Sequence, residues 1–176
     1  MLKIILAVVV LLIAGVLILA ATRPDVFRVE RSTQIKAPPE KLFALINDLR
    51  RFNTWNPYEK KDPDIQGSYS GAEHGIGAKY AFRGNKDVGV GNLEITESAP
   101  PEKVAMRLNM VKPFAASNNI TFSLEARGEL TRVTWAMEGP APYFAKIIGL
   151  FINMDSMVGR DFEAGLANLK SIAEAP

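Results

Sequence analysis

The chain has 176 residues, no cysteine and a formal net charge of +2. The absence of cysteine excludes disulfide bonds and thiolate chemistry. Lys3 and Arg23 carry the only charged side chains among the first 24 residues, so the rest of the chain is close to neutral, and the basic surface required for binding nucleic acid is missing.

The N-terminal segment is apolar, with no charged residue from Ile4 to Ala21. As a helix it would be about 27 Å long, close to the thickness of the hydrocarbon core of a bilayer. The stretch is longer than the apolar part of a cleaved signal peptide, and no clean A-x-A cleavage site follows it. We therefore predict a retained single-pass anchor over residues 1–24, with residues 4–21 in the membrane. A cleaved signal peptide is the alternative, and the flanking basic residues leave the side of the membrane open.

The segment that follows the anchor begins with a strand pattern. Residues 27–35 alternate between apolar and polar side chains, apart from Arg31 on the mostly apolar face, and this period of two predicts a half-buried strand. Pro38 and Pro39 then predict the start of a helix, since proline is favoured in the first turn. An aromatic segment, residues 51–58, is predicted to be a loop.

The middle of the chain repeats the strand pattern. A period of two runs from residue 78 almost to residue 138, and turn signals rich in glycine, proline and asparagine divide it into several strands. Gly89 and Gly91 interrupt one of these strands and predict a bulge or a sharp bend. The pattern indicates an antiparallel meander with one apolar face.

The last part of the chain changes to a helical period. Apolar residues from Tyr143 to Ala173 fall on one side of a helix, and Gly149 and Gly159 predict a kink or a break in it. The order is strand, helix, about six strands and a long helix. We predict one α+β domain over residues 25–176, in which a bent sheet covers the final helix and leaves volume for core or for a pocket.

Three local stretches carry a resemblance to a known family. Residues 29–43 (VERSTQIKAPPEKLF), 55–58 (WNPY) and 159–170 (GRDFEAGLANLK) resemble, in order and spacing, motifs of the START/Bet v 1-like superfamily and its bacterial SRPBCC (polyketide cyclase/dehydrase-like) proteins. The resemblance covers residues 27 to about 174. It implies a helix-grip fold, with a curved antiparallel sheet of about seven strands around a long C-terminal helix. The anchor is not part of the family motif; it is the apolar N-terminal segment that predicts a location in a bacterial cell membrane.

The same resemblance implies a function. Members bind lipids, sterols, polyketides or other apolar molecules in a cavity between sheet and helix, and a minority catalyse cyclisation or dehydration. The family shares no catalytic constellation, so no catalytic residue is carried over. The partner expected here is a hydrophobic small molecule or a lipid, with no cofactor and no metal; protein partners are not predicted.

Residues for a binding site follow from the faces on which they fall. We predict that large apolar side chains on the inward strand faces and on the final helix line the site: Tyr80, Phe82, Met106, Met110, Phe122, Trp135, Met137, Phe144, Phe151 and Met154. Flexible thioethers suit an irregular apolar ligand, although they equally suit a filled core. Trp55 is predicted at the rim of the site or in the core. Arg31 is predicted either to pair with an acidic side chain or to hold a ligand carboxylate.

Catalytic and metal-binding patterns are weak. His74 is the only histidine and lies beside Glu73 between predicted strands, where an exposed loop position is expected. Asp62 and Asp64 flank a proline, which favours a turn over a metal site. Three functions stay open: a membrane-anchored carrier or sensor of an apolar molecule, a cyclase or dehydratase, and a tethered interaction module with a filled core. The enzyme would draw on His74, Glu73, Tyr80 or Arg31.

Overall fold

A computed structural model describes residues 1–175 of the chain. The helices are α1 (Leu2–Ala21), α2 (Pro39–Ile46), α3 (Leu49–Trp55), α4 (Pro57–Lys61), α5 (Tyr143–Ile148) and α6 (Met154–Glu174). The strands are β1 (Val26–Ile35), β2 (Gln66–Gly71), β3 (Ala78–Arg83), β4 (Val90–Ala99), β5 (Lys103–Lys112), β6 (Ala116–Arg127) and β7 (Leu130–Pro140).

All seven strands form one antiparallel sheet in the order β1-β7-β6-β5-β4-β3-β2. Strands β2 to β7 form a meander, and β1 joins it by pairing with β7. The predicted α+β fold, with about seven strands and a long C-terminal helix, is confirmed. The predicted irregularity at the glycines is also present, because the register of β4 against β5 shifts between Val90 and Gly91.

The aromatic segment predicted as a loop is helical. The Asp48 carboxylate accepts hydrogen bonds from the backbone N–H groups of Arg50 and Arg51, and this cap begins α3. The Asn56 side chain caps α4 in the same way, with Pro57 in its first turn. These two caps turn the chain twice within a few residues, which places the aromatic side chains of α3 against the concave face of the sheet.

The predicted C-terminal helix is broken into α5 and α6. Its first piece ends at Gly149, and Asn153 starts the second by accepting a hydrogen bond from the N–H of Ser156. Gly159, the other predicted weak point, lies inside the continuous α6. There a methyl group would overlap the guanidinium of Arg31, so this glycine permits close packing of α6 on β1 instead of breaking the helix.

Helix α1 is a 20-residue apolar helix with a single buried residue, Ala20. Its length and composition suffice to cross a membrane, and a signal sequence would share both properties. It contacts the remainder of the chain through α5, where the Tyr143 hydroxyl donates a hydrogen bond to the Leu17 carbonyl at 2.7 Å.

Candidate ligand-binding cavity

A cavity of about 270 Å³ lies between the concave face of the sheet and helices α3, α4 and α6. That volume is roughly twenty times the space that one buried water needs. Its walls are mainly apolar and aromatic, and they are formed by Phe52, Asn56, Tyr58, Glu59, Ile65, Tyr80, Phe82, Lys86, Asp87, Val88, Leu93, Leu108, Met110, Pro113, Asn118, Ile120, Trp135, Met137 and Phe162.

Five residues that the sequence predicted for the site lie in these walls: Tyr80, Phe82, Met110, Trp135 and Met137. They share the concave face because the alternation along each strand places them there. Several wall residues were not predicted, among them Phe52 from α3, Leu93 from β4 and Phe162 from α6. Leu93 obeys the same alternation as the predicted residues, so that signal was present in the sequence.

Three other predicted residues lie in solid core and not in the cavity walls. Trp55, Met106 and Phe122 are almost completely buried. The Trp55 indole N–H donates to the Leu45 carbonyl at 3.0 Å, and its ring lies edge-on to Phe122 with centroids 5.9 Å apart. Of the two positions considered for Trp55, the core position is the one it occupies.

Arg31 does not line the cavity. Its guanidinium donates to the Glu163 carboxylate at 2.7 Å and to both carboxylate oxygens of Asp155, the shorter at 2.9 Å. A further N–H donates to the backbone carbonyl of Glu30. The side chain is therefore a structural tie between β1 and α6, which is the paired role that the sequence left open, and it is not available to a ligand carboxylate at this position.

Phe144, Phe151 and Met154 also lie outside the cavity. Their exposed fractions are 67%, 74% and 41%. The break at residues 149–153 is the physical reason, because one straight helix would continue the apolar stripe of α6 on the concave face. Instead, Phe144 lies in α5, which packs against α1, while Phe151 lies in the connecting turn and Met154 is the first residue of α6.

One hydrogen-bonded polar pair faces the cavity. The Tyr80 hydroxyl donates to a Glu59 carboxylate oxygen at 2.8 Å, and both residues belong to the cavity wall. Burial, followed by the interaction with Glu59, raises the pKa of the Tyr80 phenol above its usual value. The phenol therefore stays protonated at neutral pH and can act as a hydrogen-bond donor.

Two further wall residues carry buried polar atoms that are unpaired. The Trp135 Nε1 and the Asn118 Oδ1 have no hydrogen-bond partner within residues 1–175. Trp135 is 1% exposed and Asn118 is 8% exposed. A buried donor or acceptor without a partner is unfavourable. Both residues belong to the cavity wall, but the two atoms themselves have almost no accessible surface, and the Asn118 Oδ1 lies against Gly139 of β7.

The other polar residues singled out in the sequence lie outside the cavity walls. His74 and Glu73 lie exposed in the turn between β2 and β3, and Glu73 borders a separate polar hollow. The Asp62 carboxylate accepts hydrogen bonds from the backbone N–H groups of Asp64 and Asn85. It therefore stabilises a turn, as the sequence predicts. Among residues 1–175 no three acidic or histidine side chains come together as a metal site.

The mouth of the cavity is marked by the exposed members of its walls. Lys86, Asp87 and Pro113 are exposed, while the other wall residues are buried or half-buried. Lys86 and Asp87 lie in the turn between β3 and β4, and Pro113 lies in the turn between β5 and β6. Both turns are at the end of the sheet where β1 starts and β7 finishes.

Comparison with solved structures shows the same fold. Protein CV1439 from Chromobacterium violaceum is 16% identical, with a TM-score of 0.60 over 87% of this chain and 100% of that one. The Aha1 protein of Colwellia psychrerythraea is 20% identical, with a TM-score of 0.57 over 84% and 96%. Major latex-like protein 151 from Panax ginseng is 12% identical, with a TM-score of 0.59 over 86% and 100%. At these identities the likeness shows the fold alone.

A search of curated proteins gives no match. Residues 26–174 match the family described as polyketide cyclase / dehydrase and lipid transport. Because this match covers most of the chain, the chain belongs to that family.

Proposed function

We propose that this member of the polyketide cyclase / dehydrase and lipid transport family binds a hydrophobic small molecule or lipid in the cavity described above, while anchored by residues 1–24 in a bacterial cell membrane. Residues 25–176 form the binding domain. The observation that carries the proposal is an apolar cavity of about 270 Å³ whose wall also holds the hydrogen-bonded Tyr80–Glu59 pair. A filled-core interaction module does not account for that volume.

The walls define the chemistry of the bound molecule. Phe82, Leu93, Leu108 and Met110 offer apolar surface, and burying an apolar ligand against such surface is favourable by roughly 25 cal/mol per Å² before ordering costs. The Tyr80 hydroxyl and the Glu59 carboxylate add a polar patch to the same wall, where a polar group of the ligand would bind. The ligand is thus an amphiphile with a small polar group, rather than a pure hydrocarbon.

Mass spectrometry of lipids extracted from the purified full chain tests the proposal. An apolar anchor also retains surrounding lipid, so the comparison needs variants that keep α1. Leu108→Trp places an indole in the cavity, whereas Leu45→Trp is matched to it, since Leu45 is also partly buried against the core but lies outside the walls. We expect Leu108→Trp to lose a defined lipid that both the wild type and Leu45→Trp retain.

Direct binding gives a second measurement. Trp135 lies in the cavity wall and Trp55 does not, so a brominated fatty acid that enters the cavity should quench the fluorescence of the former. We expect saturable quenching that is reduced in Trp135→Phe, in which only Trp55 remains of the native tryptophans, and that requires more fatty acid to saturate in Leu108→Trp. Equal lipid content and equal quenching in Leu108→Trp and Leu45→Trp would contradict binding in this cavity.

A second candidate function is favoured by the Tyr80–Glu59 pair. A protonated phenol held at 2.8 Å from a carboxylate, both in the wall of an apolar cavity, could supply a proton donor and a proton acceptor to a polyketide-like substrate. Tyr80→Phe separates the two functions, with Tyr69→Phe as the control outside the cavity. If the protein is a carrier, Tyr80→Phe still binds the ligand and neither chain converts it. If it is an enzyme, the wild type converts the substrate, whereas Tyr80→Phe binds the substrate and no longer converts it.

A further inference from the structure

We infer that the end of the domain containing the cavity mouth is inserted into the surface of the bilayer, so that an amphiphile passes between membrane and cavity without crossing water. The surface concerned, called here the mouth-side surface, consists of α5, the turn 149–153 and the turn between β5 and β6. The bilayer contact is independent of the proposed ligand, although the lipid route rests on the proposed function.

Strand register places these elements at one end of the sheet. Val26, the first residue of β1, pairs with Pro140, the last residue of β7. The start of β6 pairs with the end of β5 through Ala116 and Met110, and Val90 of β4 pairs with Lys112 of β5. Consequently the exit from α1, the entrance to α5 and the turns that bound the cavity mouth all share this end.

Large apolar side chains are exposed at the same end. Phe114, in the turn between β5 and β6, is 72% exposed, and Phe144 and Phe151 are comparably exposed. Tyr143 and Ile152 add further exposed apolar surface. The turns at residues 72–77, 100–102 and 128–129, at the opposite end of the sheet, contain no Phe, Tyr or Trp, and Ile76 is the one large apolar side chain exposed in them. An exposed apolar surface concentrated at one end indicates a contact with an apolar partner.

Contacts with α1 identify that partner as a bilayer. The Leu17 carbonyl, which accepts the Tyr143 hydroxyl, lies four residues before Ala21, or about 6 Å along the helix. The Asp25 carboxylate accepts a hydrogen bond from the Lys146 ammonium group, and the Asp25 carbonyl accepts one from the N–H of Ala141. These contacts hold α5 beside the last turns of an apolar helix of membrane-spanning length.

If α1 spans the membrane, α5 lies at the level of the lipid headgroups. Tyrosine is enriched at that depth, and interfacial helices bury their apolar side chains roughly 5–10 Å into the boundary of headgroups and acyl chains. Phe144 and Phe151 would then be covered by lipid, and the exposed mouth residues Lys86 and Asp87 would lie among headgroups. The ligand source is therefore the bilayer that holds α1.

Site-directed spin labelling of the full chain in nanodiscs tests the contact. Because the chain has no cysteine, Phe114→Cys, Phe151→Cys and Glu129→Cys each create one labelling site without further changes. In nanodiscs of phosphatidylcholine and phosphatidylglycerol, we expect labels at 114 and 151 to be more accessible to oxygen than to a water-soluble nickel complex. The control label at 129, at the opposite end of the sheet, should show the reverse.

Two results would overturn the inference. Water-like accessibility at 114 and 151, equal to that at 129, would show that the mouth-side surface stays in solvent. Dipolar broadening between labels, disappearing when the chain is diluted with unlabelled protein, would show that a second copy covers the surface. Thermal unfolding of each labelled chain, matching that of the wild type, confirms that the fold is intact.

Transfer kinetics test the lipid route. The variant Phe144→Asp/Phe151→Asp should take up brominated fatty acid from nanodiscs at least about tenfold more slowly than the wild type, given the energy of inserting two phenylalanine side chains. Its uptake from detergent micelles should be unchanged. Equal rates from nanodiscs would overturn the route. If the wild type binds no brominated fatty acid from either nanodiscs or micelles, the cavity proposal is refuted. The spin labels would still test the membrane contact in that case.

Discussion

The half of the concave face formed by β1, β7 and β6 is mostly filled and only borders the cavity, whereas the half formed by β3, β4 and β5 is partly empty. In the filled half, Phe162 of α6 stacks on Trp135 with ring centroids 4.1 Å apart. The Phe122 ring packs against both Trp55 and Trp135. In the open half, Phe82, Leu108 and Met110 are only half-buried and face the cavity.

The position of α6 accounts for this difference. The helix packs on β1 and β7, and the two carboxylates bound by Arg31 fix it there. Because α6 follows one side of the sheet, the short helices α3 and α4 must cover the remainder, and they are too short to fill it. Two strand sets with the same apolar alternation therefore acquire different roles from the helix that covers them.

Truncation of one phenylalanine in each half sharpens the comparison most. Phe122→Ala should lower the free energy of unfolding by about 3–5 kcal/mol, because Phe122 is completely buried among aromatic rings. Phe82→Ala removes the same atoms from a half-buried wall and should cost about 1–2 kcal/mol. Urea unfolding of both full-length variants in detergent measures the difference. Equal losses would break the distinction between a filled and an open half.

Gly159→Ala should weaken the packing of α6 against β1 and lower the stability of the fold. Alanine favours a helix by about 1 kcal/mol over glycine, yet its methyl group would overlap the Arg31 guanidinium, so we expect a net loss of about 1–3 kcal/mol. Gly149→Ala is the matched control, since the added methyl group there meets only two carbonyl oxygens, at 3.2 and 3.5 Å. A Gly159→Ala variant as stable as Gly149→Ala would show that the tie is not tightly packed.

Asn118→Leu should stabilise the ligand-free protein by about 1 kcal/mol, because it removes a buried acceptor that has no partner within residues 1–175. The same change at Asn109 should destabilise, since that side chain donates to Asn92 and accepts from Ser117. Thermal unfolding of lipid-stripped samples distinguishes the two. A loss of stability in Asn118→Leu would mean that the Asn118 oxygen is not an unpaired buried acceptor.

The smallest expected effect concerns pH. Hydrogen bonds from Arg31 hold the pKa of the Asp155 carboxyl below its usual value of 3.8. A lowered pKa in the folded state means that the stabilisation is complete above about pH 4 and is lost as the pH falls further through the folded value. Asp155→Asn should thus be less stable than the wild type at pH 7, and the gap should narrow below pH 4. Melting curves from pH 7 to pH 3 measure it; a gap that persists unchanged would argue against the tie.

The sequence predicts well which strand residues share a face, but not how completely the helices fill the space above that face. Alternation places Tyr80, Phe122 and Trp135 on one face, and they do share it. Whether a residue on that face meets empty space, as Tyr80 does, or packed rings, as Phe122 does, depends on helices distant in sequence. Arg31 shows the same limit, since its partner Asp155 lies 124 residues away.

The helical period likewise does not show whether an apolar helix face contacts the protein core, a ligand or lipid. Phe144 and Phe151 extend the stripe that continues in Phe162, and a straight helix would have turned all three toward the sheet. The break after Gly149 sends the first two outward. Periodicity reports that a surface is apolar, while the choice between protein core, ligand and lipid requires the three-dimensional path of the chain.

The short connection between α1 and β1 limits where such a domain can act. Only residues 22–25 separate the two elements, and four residues span at most about 14 Å when fully extended. With α1 as the proposed membrane anchor, a domain attached so closely would not carry cargo to a distant compartment. It would act within a single leaflet and would hold, present or modify molecules where they already reside.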